Sequence, residues 1–185
     1  MATAVEGHPD NVAATMWGGF AIVGRDGSGK PRAVRFDTPD TLHATVFIPD
    51  AAMRTAEMRA ALPTTVPHKD AAHNVGRAAL VVAALTSGRL ELLDAMSDDR
   101  LHEPFRAQFL PQLPALTAAA REAGALGAAL SGAGSAVMAL SAEAETADRV
   151  AAAMTAAALA NDLPGRAIVV RPAAHGARVI RRGNG

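Results

Sequence analysis

The chain has no cysteine and no tyrosine, and aromatic residues make up 3% of its 185 positions. Without cysteine there are no disulfides and no thiolate metal sites. With so few rings, the core must be built from Ala, Val, Leu and Met, side chains that let helices approach helices and sheets closely. An excess of charge is missing as well: 18 Lys and Arg balance 18 Asp and Glu. No basic block stands out, which argues against nucleic acid or an anionic membrane surface as the main partner. No apolar run approaches the ~20 residues of a membrane span, and no signal peptide is recognised before residue 6. An alanine-rich mixed α/β protein with a cytoplasmic location is the expectation.

What is present is periodic. After Pro9, DNVAATMW reads as a short helix with Asp10 or His8 as a candidate cap. GGFAIVG and AVRF read as two strands joined by RDGSGKP, a hairpin turn. DTPDT is a Pro/Asp linker, and a domain boundary is placed there, near residue 40. HATVFIP reads as a buried strand, and a short helix over 54–61 stops at Pro63. From Pro67 to Thr86 the apolar residues repeat with helical period up to Gly88. A helical segment from Leu90 to Met96 and a helix from Leu113 to Ala123 follow, then strands ALGAALS and SAVMALS around SGAGS. A long helix over Ala142–Asn161 and closing strands GRAIVVRP and GARVI complete the series. Beyond the linker, helices packed on one face of an antiparallel sheet give an α+β sandwich close to a split βαβ arrangement. Residues 1–40 offer one helix and one hairpin, too little to enclose a core alone.

Four places are candidates for chemistry, each with a plain structural alternative. EGHPDN at 6–11 crowds His8, Asp10 and Asn11 at a helix start, where such residues also serve as caps. Thr55 and Arg59 stand four apart on one helix face, which a solvated surface beside Glu57 also explains. Arg106, in HEPFR beside His102 and Glu103, reads equally as half of a surface salt bridge. Ser131-Gly132-Ala133-Gly134-Ser135 is either a tight connection between strands or a backbone loop cradling a ligand. Metal chemistry has little support: His68 and His73 are five apart and leave a common helical face. No serine sits in a nucleophile elbow.

Taken together, EGHPDN (6–11), GGF (18–20), MRTAEMRAALPTTVPHKDAAHNVGRAALVVAAL (53–85), HEPFR (102–106), LSGAGSAV (130–137) and GARVI (176–180) make the chain resemble the homoserine kinase family of the GHMP small-molecule kinase superfamily. The resemblance covers almost the whole chain and keeps the family's order. It implies ATP-dependent transfer of a phosphoryl group to the side-chain hydroxyl of L-homoserine, giving O-phospho-L-homoserine on the route to threonine. It also implies a remnant of the N-terminal domain over residues 1–40 and a ferredoxin-like α/β sandwich domain over 41–185. By the same resemblance Asn11 orients the acceptor hydroxyl, because an amide accepts no proton at neutral pH. Asp10 and His8 brace Asn11 or hold the polar end of the substrate. Arg59 and Arg106 match the family's carboxylate-binding arginines, a role suited to the guanidinium fork; Thr55 adds a hydroxyl, and Gly132 stands in the substrate-binding loop 131–135. Ser135 departs from the family, where proline is common.

ATP and Mg2+ are the implied cofactors. The family's glycine- and serine-rich ATP loop and its magnesium-binding glutamate stand upstream of the position of EGHPDN, and no such loop occurs in these 185 residues. GRDGSGK at 24–30 is a hairpin turn without the spacing of a phosphate-binding loop. The expectation is a truncated chain, Met1 being a misassigned start or the edge of a fragment, with negligible kinase activity alone. A homodimer is expected, as is common in similar kinases. Two other readings stay open: an amino-acid-binding module without catalysis, and a GHMP kinase for another small alcohol.

Overall fold

A computed structural model describes residues 9–51 and 55–179, which form two compact units, one from residues up to Pro39 together with those from Pro172 on, the other from Asp40 to Arg171.

In the first unit, helix α1 (Pro9–Trp17) starts on a proline whose fixed φ suits a first helical position. Gly18 and Gly19, both at positive φ, end the helix and turn the chain into strand β1 (Phe20–Arg25). β1 pairs antiparallel with β2 (Pro31–Phe36), placing Ile22 opposite Val34 and Phe20 opposite Phe36. The turn between them is closed by Asp26, whose carboxylate accepts the Ser28 and Lys30 N–H groups, the Ser28 hydroxyl and the Arg32 Nε–H. Among the described residues neither strand has a second neighbour, and Met16, Trp17 and Val34 are about half exposed. The tail from Pro172 belongs to this unit: Gly19 N–H donates to Ala173 O (2.7 Å), Ala177 N–H to Thr15 O (2.9 Å) and Arg35 Nη2 to Ala174 O (2.9 Å). The expected closing strand GARVI is therefore corrected. Residues 176–179 pair with no strand among the described residues, because the Ala177 amide is spent on an orphan carbonyl in the last turn of α1; Ile180 lies outside the described residues.

The second unit begins with strand β3 (His43–Pro49), followed by α2 (Thr55–Ala60), the long helix α3 (His68–Ser87) and a 3-10 segment (Leu90–Ser97). Next come the short helix α4 (Glu103–Arg106), α5 (Leu113–Glu122), strands β4 (Gly127–Leu130) and β5 (Val137–Ser141), helix α6 (Ala144–Ala160) and β6 (Gly165–Val170). The four strands form one antiparallel sheet in the order β4-β5-β3-β6, the split βαβ topology expected from the element order. α5 buries Leu113, Leu116 and Ala120, and α6 buries Ala147, Val150, Met154 and Ala158. Both sets recur at three- and four-residue steps, so each helix lays one stripe on the sheet face that carries Phe47, Ala128, Val137 and Ala139. The buried Thr45 hydroxyl donates to Ala147 O (3.1 Å) and joins β3 to the first turn of α6. Beside this core, Arg77 on α3 donates to the Ala95 and Asp94 carbonyls and holds the end of the 3-10 segment.

Candidate substrate site

The site is organised by a four-residue helix too short to be stable by itself. What holds α4 is Asp99, four residues ahead of it. One carboxylate oxygen accepts the His102 and Glu103 N–H groups (2.6 Å each); the other accepts the Leu101 N–H (3.2 Å) and the Asn74 side-chain amide from α3, and lies 3.2 Å from His102 Nδ1. These contacts satisfy amides that a helix start leaves open. Burial works to raise the Asp99 pKa, yet the hydrogen bonds from His102, Glu103 and Asn74 outweigh it and hold the carboxyl well below the usual aspartate range. Asp99 is thus a firmly ionised anchor.

One turn further on, α4 delivers Arg106 into the interior, where the residue is 7% exposed. Its Nε–H donates to Met58 O of α2 (3.3 Å) and its Nη1 to Gly132 O of the glycine turn (2.9 Å). Among the described residues it forms no ion pair with a carboxylate. The surface salt bridge that the sequence allowed for HEPFR is therefore not the role of Arg106. A guanidinium has five N–H donors, and carbonyl oxygens supply no counter-charge, so this buried cation calls for an anion.

The glycine turn lies between β4 and β5. Ser131 N–H donates to Ala136 O (2.8 Å), and Gly134 N–H folds back on Ser131 O (2.9 Å). Gly132 and Gly134 both have positive φ, 58° and 90°, a backbone region that suits glycine. They differ in surroundings. A Cβ on Gly134 would lie 3.0 Å from Met58 Cε and 3.1 Å from Leu130 Cδ1, whereas one on Gly132 would meet nothing within 4 Å. The turn is packed on one side and open over Gly132. Ala133 and Ser135 complete it half-buried, the Ser135 hydroxyl 3.4 Å from Ala51 O.

Of the residues singled out in the sequence, the structure thus joins Arg106 directly to Gly132, and Arg106 also to the Met58 carbonyl beside Arg59. Arg59 follows Met58 on α2 and is exposed; Thr55 opens the same helix. Asp10 and Asn11 are exposed on α1 of the first unit, where the Asn11 N–H donates to Asp10 Oδ1 (2.9 Å). His8 lies outside the described residues.

Residues 81–161 match the family described as GHMP kinases C terminal. The homoserine kinase of Streptomyces coelicolor is 49% identical over 152 residues, 82% of this chain and 48% of that protein. The homoserine kinase of Moorella thermoacetica is 38% identical over 180 residues, 97% of this chain and 60% of that protein. The crystal structure of homoserine kinase from Cytophaga hutchinsonii superposes with a TM-score of 0.85 at 30% identity, covering 94% of this chain and 54% of that one. The chain carries a GHMP kinase C-terminal domain. It spans about half the length of the curated relatives it matches.

Three groups at the site were not singled out from sequence. Asp99 sits in an acidic pair before HEPFR, and its only sequence signal is the capping distance to the Glu103-Pro104 helix start. Met58 contributes a backbone carbonyl, which no side-chain pattern announces. Glu103 was seen only as a neighbour of Arg106; its Oε1 accepts the Leu130 N–H at 2.5 Å. Burial pushes the Glu103 pKa up, the Leu130 hydrogen bond opposes that, and the nearby Asp99 charge adds to the rise.

Proposed function

We propose that this chain carries the amino-acid side of a homoserine kinase site, in which ATP phosphorylates the side-chain hydroxyl of L-homoserine. The observation that carries the reading is Arg106: a buried guanidinium held by two carbonyl oxygens, without a carboxylate partner among the described residues, beside the open side of a glycine turn. A substrate carboxylate supplies the missing charge and accepts the remaining N–H groups in a forked pair. Arg59 and Thr55, one turn apart on α2, extend this grip. The Gly132 backbone lets the substrate approach without a Cβ in the way.

In the reaction the homoserine hydroxyl oxygen bonds to the γ-phosphorus while the bond to the β,γ-bridging oxygen breaks, and ADP leaves. The hydroxyl proton passes to a phosphoryl oxygen or to water, since the Asn11 amide orients the hydroxyl and takes no proton. His8 and Asp10 brace that end. Positioning of this kind is a large part of phosphoryl-transfer catalysis. Mg2+ accompanies ATP in this reading. Among the described residues no three His, Asp or Glu side chains gather as a metal site, and no step is assigned to the metal here.

The test is a titration of the 15N-labelled chain with L-homoserine, watching the Arg106 Nε–H and the Gly132 and Gly134 amides. Saturable shifts at these three groups are expected. The amino alcohol in which the carboxylate is reduced to a hydroxymethyl group should leave them unmoved. Equal response to both compounds, or to neither, removes the reading.

A further inference from the structure

We propose that Glu103 is a positioning residue, which fixes the glycine turn relative to the Arg106 guanidinium by holding the Leu130 N–H. The inference rests on the homoserine kinase reading of that site. β4 is an edge strand. Ser131 N–H donates inward to Ala136 O, so the alternate amides of Ala128 and Leu130 face away from β5. Each is taken up by a side chain: Ala128 N–H by Ser97 Oγ (2.9 Å) and Leu130 N–H by Glu103 Oε1 (2.5 Å). A neutral hydroxyl is enough at Ala128. At Leu130 the acceptor is a half-buried carboxylate, a costlier group to place.

What the carboxylate adds is geometry. Glu103 and Arg106 are three apart and share a side of α4. From that one turn, Glu103 holds the amide two residues before Gly132 while Arg106 holds the Gly132 carbonyl. The turn is gripped at two points by a single rigid piece, and Asp99 holds that piece through the Glu103 N–H (2.6 Å). Release of the Leu130 amide leaves Arg106, the group that the substrate must engage, as the remaining hydrogen bond from α4 to the turn among the described residues.

The experiment compares Glu103→Ala and Glu103→Gln with the parent chain by 15N NMR, amide hydrogen exchange and L-homoserine titration. In Glu103→Ala the Leu130 amide exchanges faster, the Gly132 amide and Arg106 Nε–H resonances move, and the Kd for L-homoserine rises by about tenfold, the size of one charge-assisted hydrogen bond. Glu103→Gln keeps an acceptor oxygen in reach and restores the resonances and the Kd to within about threefold of the parent, an uncharged acceptor being the weaker one. If only Leu130 and its strand neighbours change, and the Kd stays within about twofold, a difference under one hydrogen bond, Glu103 merely covers an edge and the proposal fails. It fails too if the glutamine chain behaves like the alanine chain. Should the alanine chain not fold, Glu103→Asp, one methylene short, is read in the same way. A parent chain that does not bind L-homoserine overturns the substrate reading, and the Gly132 and Arg106 resonances then decide the positioning role alone.

Discussion

Replacing Arg106 by methionine separates a guanidinium kept for a ligand from one kept for the fold. The residue is 7% exposed and its hydrogen-bond partners among the described residues are the carbonyls of Met58 and Gly132. Removing such a cation from water costs several kcal/mol even after relaxation. Two charge-assisted hydrogen bonds return about 1.5–3 kcal/mol each, or roughly 3–6 kcal/mol together, so the opposing contributions nearly cancel. Methionine keeps an unbranched apolar side chain in the space. Gly132 is exposed, so its carbonyl can turn to water, which leaves the Met58 carbonyl as the main loss, about 1–3 kcal/mol. The expected change in unfolding free energy is under about 2 kcal/mol in either direction. Breaking a true buried ion pair instead costs about 3–5 kcal/mol. The assay is urea unfolding followed by far-UV circular dichroism, with and without L-homoserine. Ligand should raise the midpoint of the parent chain by linkage and leave Arg106→Met unmoved. A loss above about 3 kcal/mol without ligand would refute the reasoning and make Arg106 a structural strut.

Further outcomes follow from the same geometry. Gly132→Ala should cost about 1–2 kcal/mol for its left-handed backbone alone, while Gly134→Ala should cost more because its Cβ also presses on Met58 and Leu130; equal losses in urea melts would contradict the packing. Ser141 is fully buried and its hydroxyl has no hydrogen-bond partner among the described residues, so Ser141→Ala should stabilise by about 1 kcal/mol, seen as a raised Tm; a lowered Tm would mean the hydroxyl is satisfied. The two carboxylates of the α4 turn should respond oppositely to pH. The Asp99 pKa lies below its ordinary 3.8, so its contribution is present above that value and lost as pH falls through the folded one, and Asp99→Asn should remove this acid loss. The Glu103 pKa lies above its ordinary 4.5, so its contribution is present below that value and lost as pH rises through the folded one; Glu103→Gln should flatten this limb of the urea midpoint against pH.

Much of the architecture was legible because periodicity is local. The α3 repeat from Pro67 to Gly88, the DG-containing hairpin and the two apolar strands around SGAGS all carry their signals within a few residues, and the element order leads to the sheet topology. GARVI misled because a short apolar run has the same composition whether it joins a ladder or, as here, lies against a helix end. At the site, the pairing of Arg106 with the glycine turn could be anticipated only through family resemblance. Its burial could not be read from HEPFR, whose charges look like a solvated surface. Asp99 and Glu103 escaped for a related reason. Each matters through an amide whose direction depends on tertiary placement: a helix start for Asp99, and for Glu103 the outward side of an edge strand, which alternation in β4 alone does not reveal.

Arg171 donates through Nη2 to the Asp40 carbonyl, so the first and last residues of the second unit touch. That unit is a closed circuit inserted into a unit built from two separate stretches of chain. Cutting the gene after residue 171 would strip the hairpin half of its returning tail, whereas residues 40–171 could be lifted out whole or reconnected end to end with a short linker, opening new termini elsewhere, for instance in the tip between α6 and β6.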